Sequence, residues 1–173
     1  MTAAAWMMSL ALAASACTLH REKPRVTEEE ASPRLAMIVR TADPAAASQL
    51  LSGFYEVEHG AWRWTSGKFS VRLRPPRQGS KKGATLQVKF SVLEGAMAAL
   101  KSVSLDAVLR GSDLGRETFK QAGELIYSRD VPANLLTQDP VQIDFSLDKV
   151  LPAAPGDKRT LGIIVSSVGF EPK

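Results

Sequence analysis

Trp62 and Trp64 bracket Arg63, and these are the residues with the clearest capacity for recognition chemistry in the sequence. Successive side chains of a strand point to opposite faces, so an extended Trp-Arg-Trp puts both indoles on one side and the guanidinium on the other. On an open face, two indole planes suit stacking against the apolar side of sugar rings. On a closed face the same pair anchors a core, the more common fate of a large aromatic. Tyr55 follows Phe54 and points away from it; Phe54 is expected inside, and Tyr55 is either a surface contact or a structural hydroxyl. Asp157 and Arg159, two residues apart, can pair with each other or reach Glu56 or Arg63. Such a pair is more often a closure than a site, although the same groups at the end of a sandwich can hydrogen-bond sugar hydroxyls. The candidate ligand-binding residues are therefore Trp62, Trp64, Tyr55, Arg63, Asp157 and Arg159.

Catalytic chemistry finds little to build on, and no catalytic residue, metal or cofactor is expected. His20 and His59 are the only histidines and Cys17 is the only cysteine, a poor donor set for a transition metal. The sequence has no D-x-D-x-D-G calcium loop, no G-x-S-x-G elbow and no glycine-rich phosphate loop after a strand. No pair of carboxylates stands out for glycoside hydrolysis among the 18 acidic residues. The formal charge of +4 is spread along the chain rather than gathered on one helix, which argues against nucleic acid. Arg72, Arg74, Arg77, Lys81 and Lys82 form the most basic stretch, either a solvated loop guarding a sheet edge or a contact for anionic lipid.

The elements that must position these residues read as strands. Phe69, Val71 and Leu73 alternate with polar neighbours, and so do Leu86, Val88, Phe90 and Val92. Val103, Leu105, Ala107 and Leu109 form a third such row, and Val141, Ile143, Phe145 and Leu147 a fourth. A period of two with one apolar face is the pattern of antiparallel strands wet on one side. The last run, LGIIVSSVGF, is apolar on both faces and suits a central strand. The stretches RPPRQGSKKG, RGSDLG, QAGE, SRDVP and AAPGD read as turns. GAMAALK, near 96–101, and ANLLTQD, near 133–139, read as short helical crossings. The expected fold is all-β, an antiparallel jelly-roll-like β-sandwich over 49–173.

The sequence ahead of it divides in two. Residues 1–16 carry no charged side chain and end in Ala14-Ser15-Ala16, which reads as a signal peptide with a small-x-small cleavage site before Cys17. Residues 17–48, with Glu28-Glu29-Glu30 and scattered prolines, read as a polar tether. Leu35 to Val39 is the exception and is expected to add an early strand to the sandwich. A cysteine directly after the cleavage point resembles the lipobox of bacterial lipoproteins, with Ala14 where that family usually has Leu. The resemblance implies lipidation of Cys17, a membrane anchor and a place in the cell envelope. The alternatives are an ordinary secretory peptide and an uncleaved apolar anchor.

Two segments, Gly53 to Leu73 and Ser104 to Glu171, together resemble a jelly-roll-like β-sandwich module of bacterial envelope and glycan-related proteins. The shared features are Gly53-Phe54-Tyr55, Arg63-Trp64, the Asp130-Val131-Pro132 step and the closing Asp157-x-Arg159-x-Leu161-Gly162. The family's turn usually carries Asn where this chain has Arg110 before Gly111. The module is similar to carbohydrate-binding and galactose-binding-like domains, which implies a non-catalytic glycan-binding lipoprotein. The alternative is a structural or assembly subunit that meets a protein partner at the envelope.

Overall fold

A computed structural model describes residues 35–173; the leader, Cys17 and the stretch up to residue 34 lie outside the described residues. The strands are β1 (Ile38–Arg40), β2 (Leu50–Glu58), β3 (Trp62–Leu73), β4 (Ala84–Val92), β5 (Val103–Leu109), β6 (Ser112–Phe119), β7 (Gly123–Val131), β8 (Val141–Leu147) and β9 (Ile164–Pro172). Helices α1 (Gly79–Lys82) and α2 (Glu94–Leu100), with 3₁₀ turns at Pro44–Gln49 and Ala133–Leu136, are short crossings. Every strand pair is antiparallel. The fold is an all-β antiparallel sandwich. Its larger sheet runs β2-β3-β8-β5-β6, and its smaller one joins β7, β4, β9 and β1. Only the β2–β3 and β5–β6 hairpins stay within one sheet; every other connection changes sheet, the jelly-roll habit.

The two-residue rhythm built this core. Phe69, Val71, Leu73, Leu86, Val88, Phe90, Leu105, Leu109, Ile143 and Phe145 are all buried in one cluster. Each such burial is worth about 1.5–3 kcal/mol, so alternation commits these segments to facing sheets. Phe69 stacks on Phe145 with ring centroids 4.8 Å apart. Phe54 joins from β2, edge-on to Phe69 at 5.4 Å. β9 is central as its composition suggested, paired to β4 on one edge and to β1 and β3 on the other.

Three expectations are corrected. The folded unit starts ahead of residue 49: β1 pairs with β9, and Ala46 and Gln49 are buried. Gln49 ties this stretch down by accepting from the Ala36 N–H and donating to the carbonyls of Ala36 and Arg72. Residues 112–115 and 128–131, read as turns, belong to β6 and β7. Their polar, glycine-bearing composition fits strands at the sandwich margin, where few side chains face the core. Only Arg110 and Gly111 make the β5–β6 turn, at φ 53° and 80°. Two consecutive positive φ values are what a tight two-residue hairpin needs, and glycine adopts them without a Cβ penalty. The basic loop carries α1 rather than a plain turn.

β6 and β7 are the two ends of the hydrogen-bonded strand order, and side chains hold them together. The Tyr127 hydroxyl donates to the Gly115 carbonyl at 2.5 Å. Arg129 lies over the Tyr127 ring at 4.6 Å, pairs with Glu117 at 2.6 Å and donates to the Arg116 carbonyl at 2.8 Å. Burial pushes the Tyr127 hydroxyl up to about 12, with Arg129 pulling the other way. The folded state thus holds this proton more tightly than the unfolded chain, whose tyrosine titrates near 10. That stability is complete below about pH 10 and is lost as pH rises through about 12. Tyr127→Phe is expected to cost about 1 kcal/mol at neutral pH by stranding the Gly115 carbonyl. It is also expected to flatten the alkaline fall in urea-melt stability by about 2 kcal/mol between pH 10 and 12. Parallel pH profiles for the two proteins would refute the assignment.

Candidate functional site

The outer face of the smaller sheet carries the most site-like surface among the described residues. Register sets Glu124 of β7, Ser91 of β4, Ile164 of β9 and Trp64 of β3 in one row. The neighbouring row runs from Ile126 through Lys89 to β9 at Ser167, where a bulge disturbs the ladder. Trp62, two residues before Trp64, shares its face at the β3 end. A groove of about 650 Å³ lies on this face, with Trp62 and Ile126 among its lining and Lys89, Ser91, Glu124 and Ser166 between them. A second depression, about 600 Å³, shares Ala61, Lys89 and Ser166 with it and continues to Arg40, Asp43 and Gly60. Three strand spacings separate β7 from β3, so the groove is roughly 14 Å across.

Its chemistry is mixed and unspent. Ile126 is 51% exposed. Among the described residues, Arg40, Lys89 and Glu124 take part in no ion pair. Trp62 is half-buried, and His59 from the β2–β3 turn packs on its ring at 5.1 Å. The Trp62 indole N–H is the one buried side-chain donor without a partner among the described residues. An unmet buried donor costs about 1–3 kcal/mol, so this wall of the groove is short of an acceptor.

The other five candidates are placed differently. Trp64 is 7% exposed and paired across to Ile164, itself buried, so it offers no plane for stacking. Arg63 points inward with Val165, its opposite on β9, and its side chain is only 15% exposed. It donates to the Thr41 carbonyl at 2.8 Å and to the Tyr55 carbonyl at 2.9 Å, which ties β3 to β2 and to the β1 exit. Tyr55, Asp157 and Arg159 do come together, with Glu58 as the fourth member that spacing did not single out. Arg159 makes a bidentate pair with Asp157 and donates to Glu58 at 2.8 Å, rather than reaching Glu56 or Arg63. Its guanidinium lies over the Tyr55 ring at 5.3 Å, and the Tyr55 hydroxyl donates to the Thr160 carbonyl at 2.9 Å.

This cluster is a clasp. It holds the long connection 148–162 against β2, and its charges are occupied by one another. The Arg159 side chain, helped by the Arg159 backbone N–H, keeps the Asp157 carboxyl below its ordinary range. Hydrogen bonds to Asp157 and then Glu58 push Arg159 still higher. The connection ends at Gly162, whose N–H donates to the Thr65 carbonyl at 2.7 Å. A Cβ there would stand 2.7 Å from the Ser66 carbonyl oxygen and from Thr65 Oγ1, so only glycine lets the backbones approach.

The groove residues Lys89, Ser91, Glu124 and Ile126 escaped the sequence reading because they lie on separate strands as ordinary outward-facing positions. The one available signal was Ile126, an apolar residue at a polar phase of β7.

No family model matches the chain, and no curated protein matches it. Several solved structures are similar in part, and they include carbohydrate-binding modules. One is the CBM36-1 domain of a multidomain xylanase from the hindgut metagenome of Trinervitermes trinervoides, at 11% identity and TM-score 0.44, covering 79% of this chain and 96% of that one. An acetyl xylan esterase from the rumen bacterium Butyrivibrio proteoclasticus has 9% identity and TM-score 0.44, with 80% of this chain and 34% of that one covered. A structure of CBM51-2 in complex with GlcNAc and INT domains from Clostridium perfringens has 9% identity and TM-score 0.36, with 79% and 28% covered. At these TM-scores the functional reading rests on the surface of this chain itself.

If the clasp acts as described, Arg159→Ala and Asp157→Asn speed hydrogen exchange at the Leu161 and Gly162 amides several-fold. Exchange at Val88 and Val168, in the central ladder, stays as it was. Unaltered exchange at Leu161 and Gly162 would remove the clasp from the account.

Proposed function

We propose that this chain is a non-catalytic binding module that takes a glycan chain along the groove on the outer face of the smaller sheet, and that a lipid on Cys17 holds it at the cell envelope. The observation that carries the reading is Trp62: a half-buried indole at the wall of an open groove, with an N–H that no group among the described residues accepts. The indole offers an apolar plane to a sugar ring. Ile126 supplies the opposing apolar wall. Lys89, Arg40 and Glu124, in no ion pair among the described residues, present donors and acceptors to hydroxyls, and the Ser166 hydroxyl, which donates to the Lys89 carbonyl at 3.1 Å, can still accept. Because the floor is sheet rather than loop, little ordering entropy is spent on binding. Both displaced carboxylates, Asp130 and Asp157, are pushed down by cationic partners, the direction of an ion pair and not of a general acid.

A protein partner is the second reading, favoured by Ile38 and Ile126, each 51% exposed. Ile38 leans over Gly169 on the same outer face.

Binding of the chain from residue 18 onward to a glycan array and to envelope polysaccharides separates these readings. Trp62→Ala is expected to lower glycan affinity at least tenfold with little change in melting temperature, about the loss of one good aromatic contact. Trp64→Ala is expected to destabilise the fold by about 3–5 kcal/mol instead. No glycan binding, together with association abolished by Ile38→Asp and Ile126→Asp, selects the protein-partner reading. Mass spectrometry of the mature membrane-extracted protein is expected to show a chain starting at an acylated Cys17; an unmodified cysteine or an intact leader would dismiss the anchor.

A further inference from the structure

Antiparallel topology brings the connections 74–83, 110–111 and 132–140 to one end of the sandwich, together with the point where residue 35 joins it. Contacts bind these pieces into one surface. Gly79 of α1 packs on Leu136, Arg110 donates to Thr137 Oγ1 at 3.0 Å, and Leu35 shares a depression with Arg74, Arg77 and Asp139. Arg77, Lys81, Lys82 and Arg110 are exposed there and take part in no ion pair among the described residues. Of the carboxylates near this end, Asp139 is engaged by Arg74 at 3.4 Å and Asp130 by Lys173 at 2.8 Å, while Asp113, opposite Val108 just past the β5–β6 turn, leaves one acidic group beside Arg110. Glu171 sits one residue further in, opposite Thr85. At the other end the charges are interleaved: Lys149 follows Asp148, Lys158 follows Asp157, and Lys101 shares its connection with Glu94. Charge kept only for solubility would be mixed in this way at both ends.

We infer that this cationic end is a docking surface for a membrane of anionic phospholipid. The occupant is argued from where the chain leads. The Arg74 N–H donates to the Ala36 carbonyl at 3.1 Å, so the N-terminal segment joins the domain beside Arg74 and Arg77, at the edge of this patch. From Cys17 to Leu35 even a fully extended chain reaches only about 60 Å. Resting on the proposed anchor at Cys17, the cationic end is the end at which that tether meets the domain. Near an anionic leaflet each free Lys or Arg raises affinity roughly fivefold, and tethering makes that contact intramolecular. Docked this way, the domain holds its strands upright and leaves the groove facing sideways, clear of the membrane.

The test uses the full chain with vesicles of phosphatidylcholine alone or with one-third phosphatidylglycerol. Amine acetylation is read by mass spectrometry at Lys81 and Lys82 against Lys101, Lys120 and Lys149. Expected is labelling at Lys81 and Lys82 slowed at least fivefold by the anionic vesicles only, with the far-end lysines unchanged. The protection should vanish at about 0.5 M salt, where the screening length falls to a few ångströms. It should also vanish for Lys82 in the Arg77→Glu, Lys81→Glu variant. Equal labelling at both ends, protection on neutral vesicles alone, or protection by a soluble anionic polysaccharide but not by vesicles would overturn the proposal. Failure of the anchor reads out separately, as loss of the chain from neutral vesicles at high salt.

Discussion

β3 hydrogen-bonds to β8 through Lys68 to Leu73 and to β9 through Arg63 and Trp64, and this divided pairing turns one ladder into two facing layers. The consequences follow from geometry. Its C-terminal half delivers Phe69, Val71 and Leu73 to the core. Its N-terminal half, now part of the other layer, turns Arg63 inward. A guanidinium turned into a sandwich needs partners, and the carbonyls of Thr41 and Tyr55 take its Nε and Nη1 donors, with the Glu56 carboxylate 4.0 Å from Nη1. The same turn sends Trp62 and Trp64 to the outer face of the smaller sheet, so the groove exists because β3 changes partners.

Two tryptophans on one face have different fates for a positional reason. Trp64 lies two residues further into the layer, opposite Ile164, where both side chains are covered. Trp62 begins the strand, next to a turn, and is only half-buried, with His59 against its ring. Burial falls off toward strand ends, and a recognition surface needs an aromatic that is held but not enclosed.

The polar clusters divide along a similar line. Tyr55, Glu58, Asp157 and Arg159 satisfy one another, as do Tyr127, Arg129 and Glu117 at the β6–β7 margin. Both fasten parts of the chain that backbone pairing leaves loose. The groove and the cationic end hold what is left over: charges in no ion pair among the described residues, on two surfaces at right angles, one along a sheet face and one across strand ends.

Much of the fold was legible because its rule is local. A two-residue period with one apolar face specifies a half-buried strand wherever it occurs, and it marked β3, β4, β5 and β8, while a run apolar on both faces marked β9. β6 and β7 were harder to see, since marginal strands owe their pairing to neighbours and not to their own apolar content. The expectation of a leader before Cys17 likewise rests on composition. Side-chain fate was not local. Spacing placed Trp62 and Trp64 on one face and Asp157 within reach of Arg159, yet it could not say that Trp64 is covered, that Glu58 completes the clasp, or that Lys89, Glu124 and Ile126 meet beside Trp62. Those facts depend on which strands become neighbours across 30 to 100 residues of chain. Neighbourhood of that kind is decided by the whole core closing at once, so the sequence determined the strands and their apolar faces, and only the tertiary structure decided what lies against the other side.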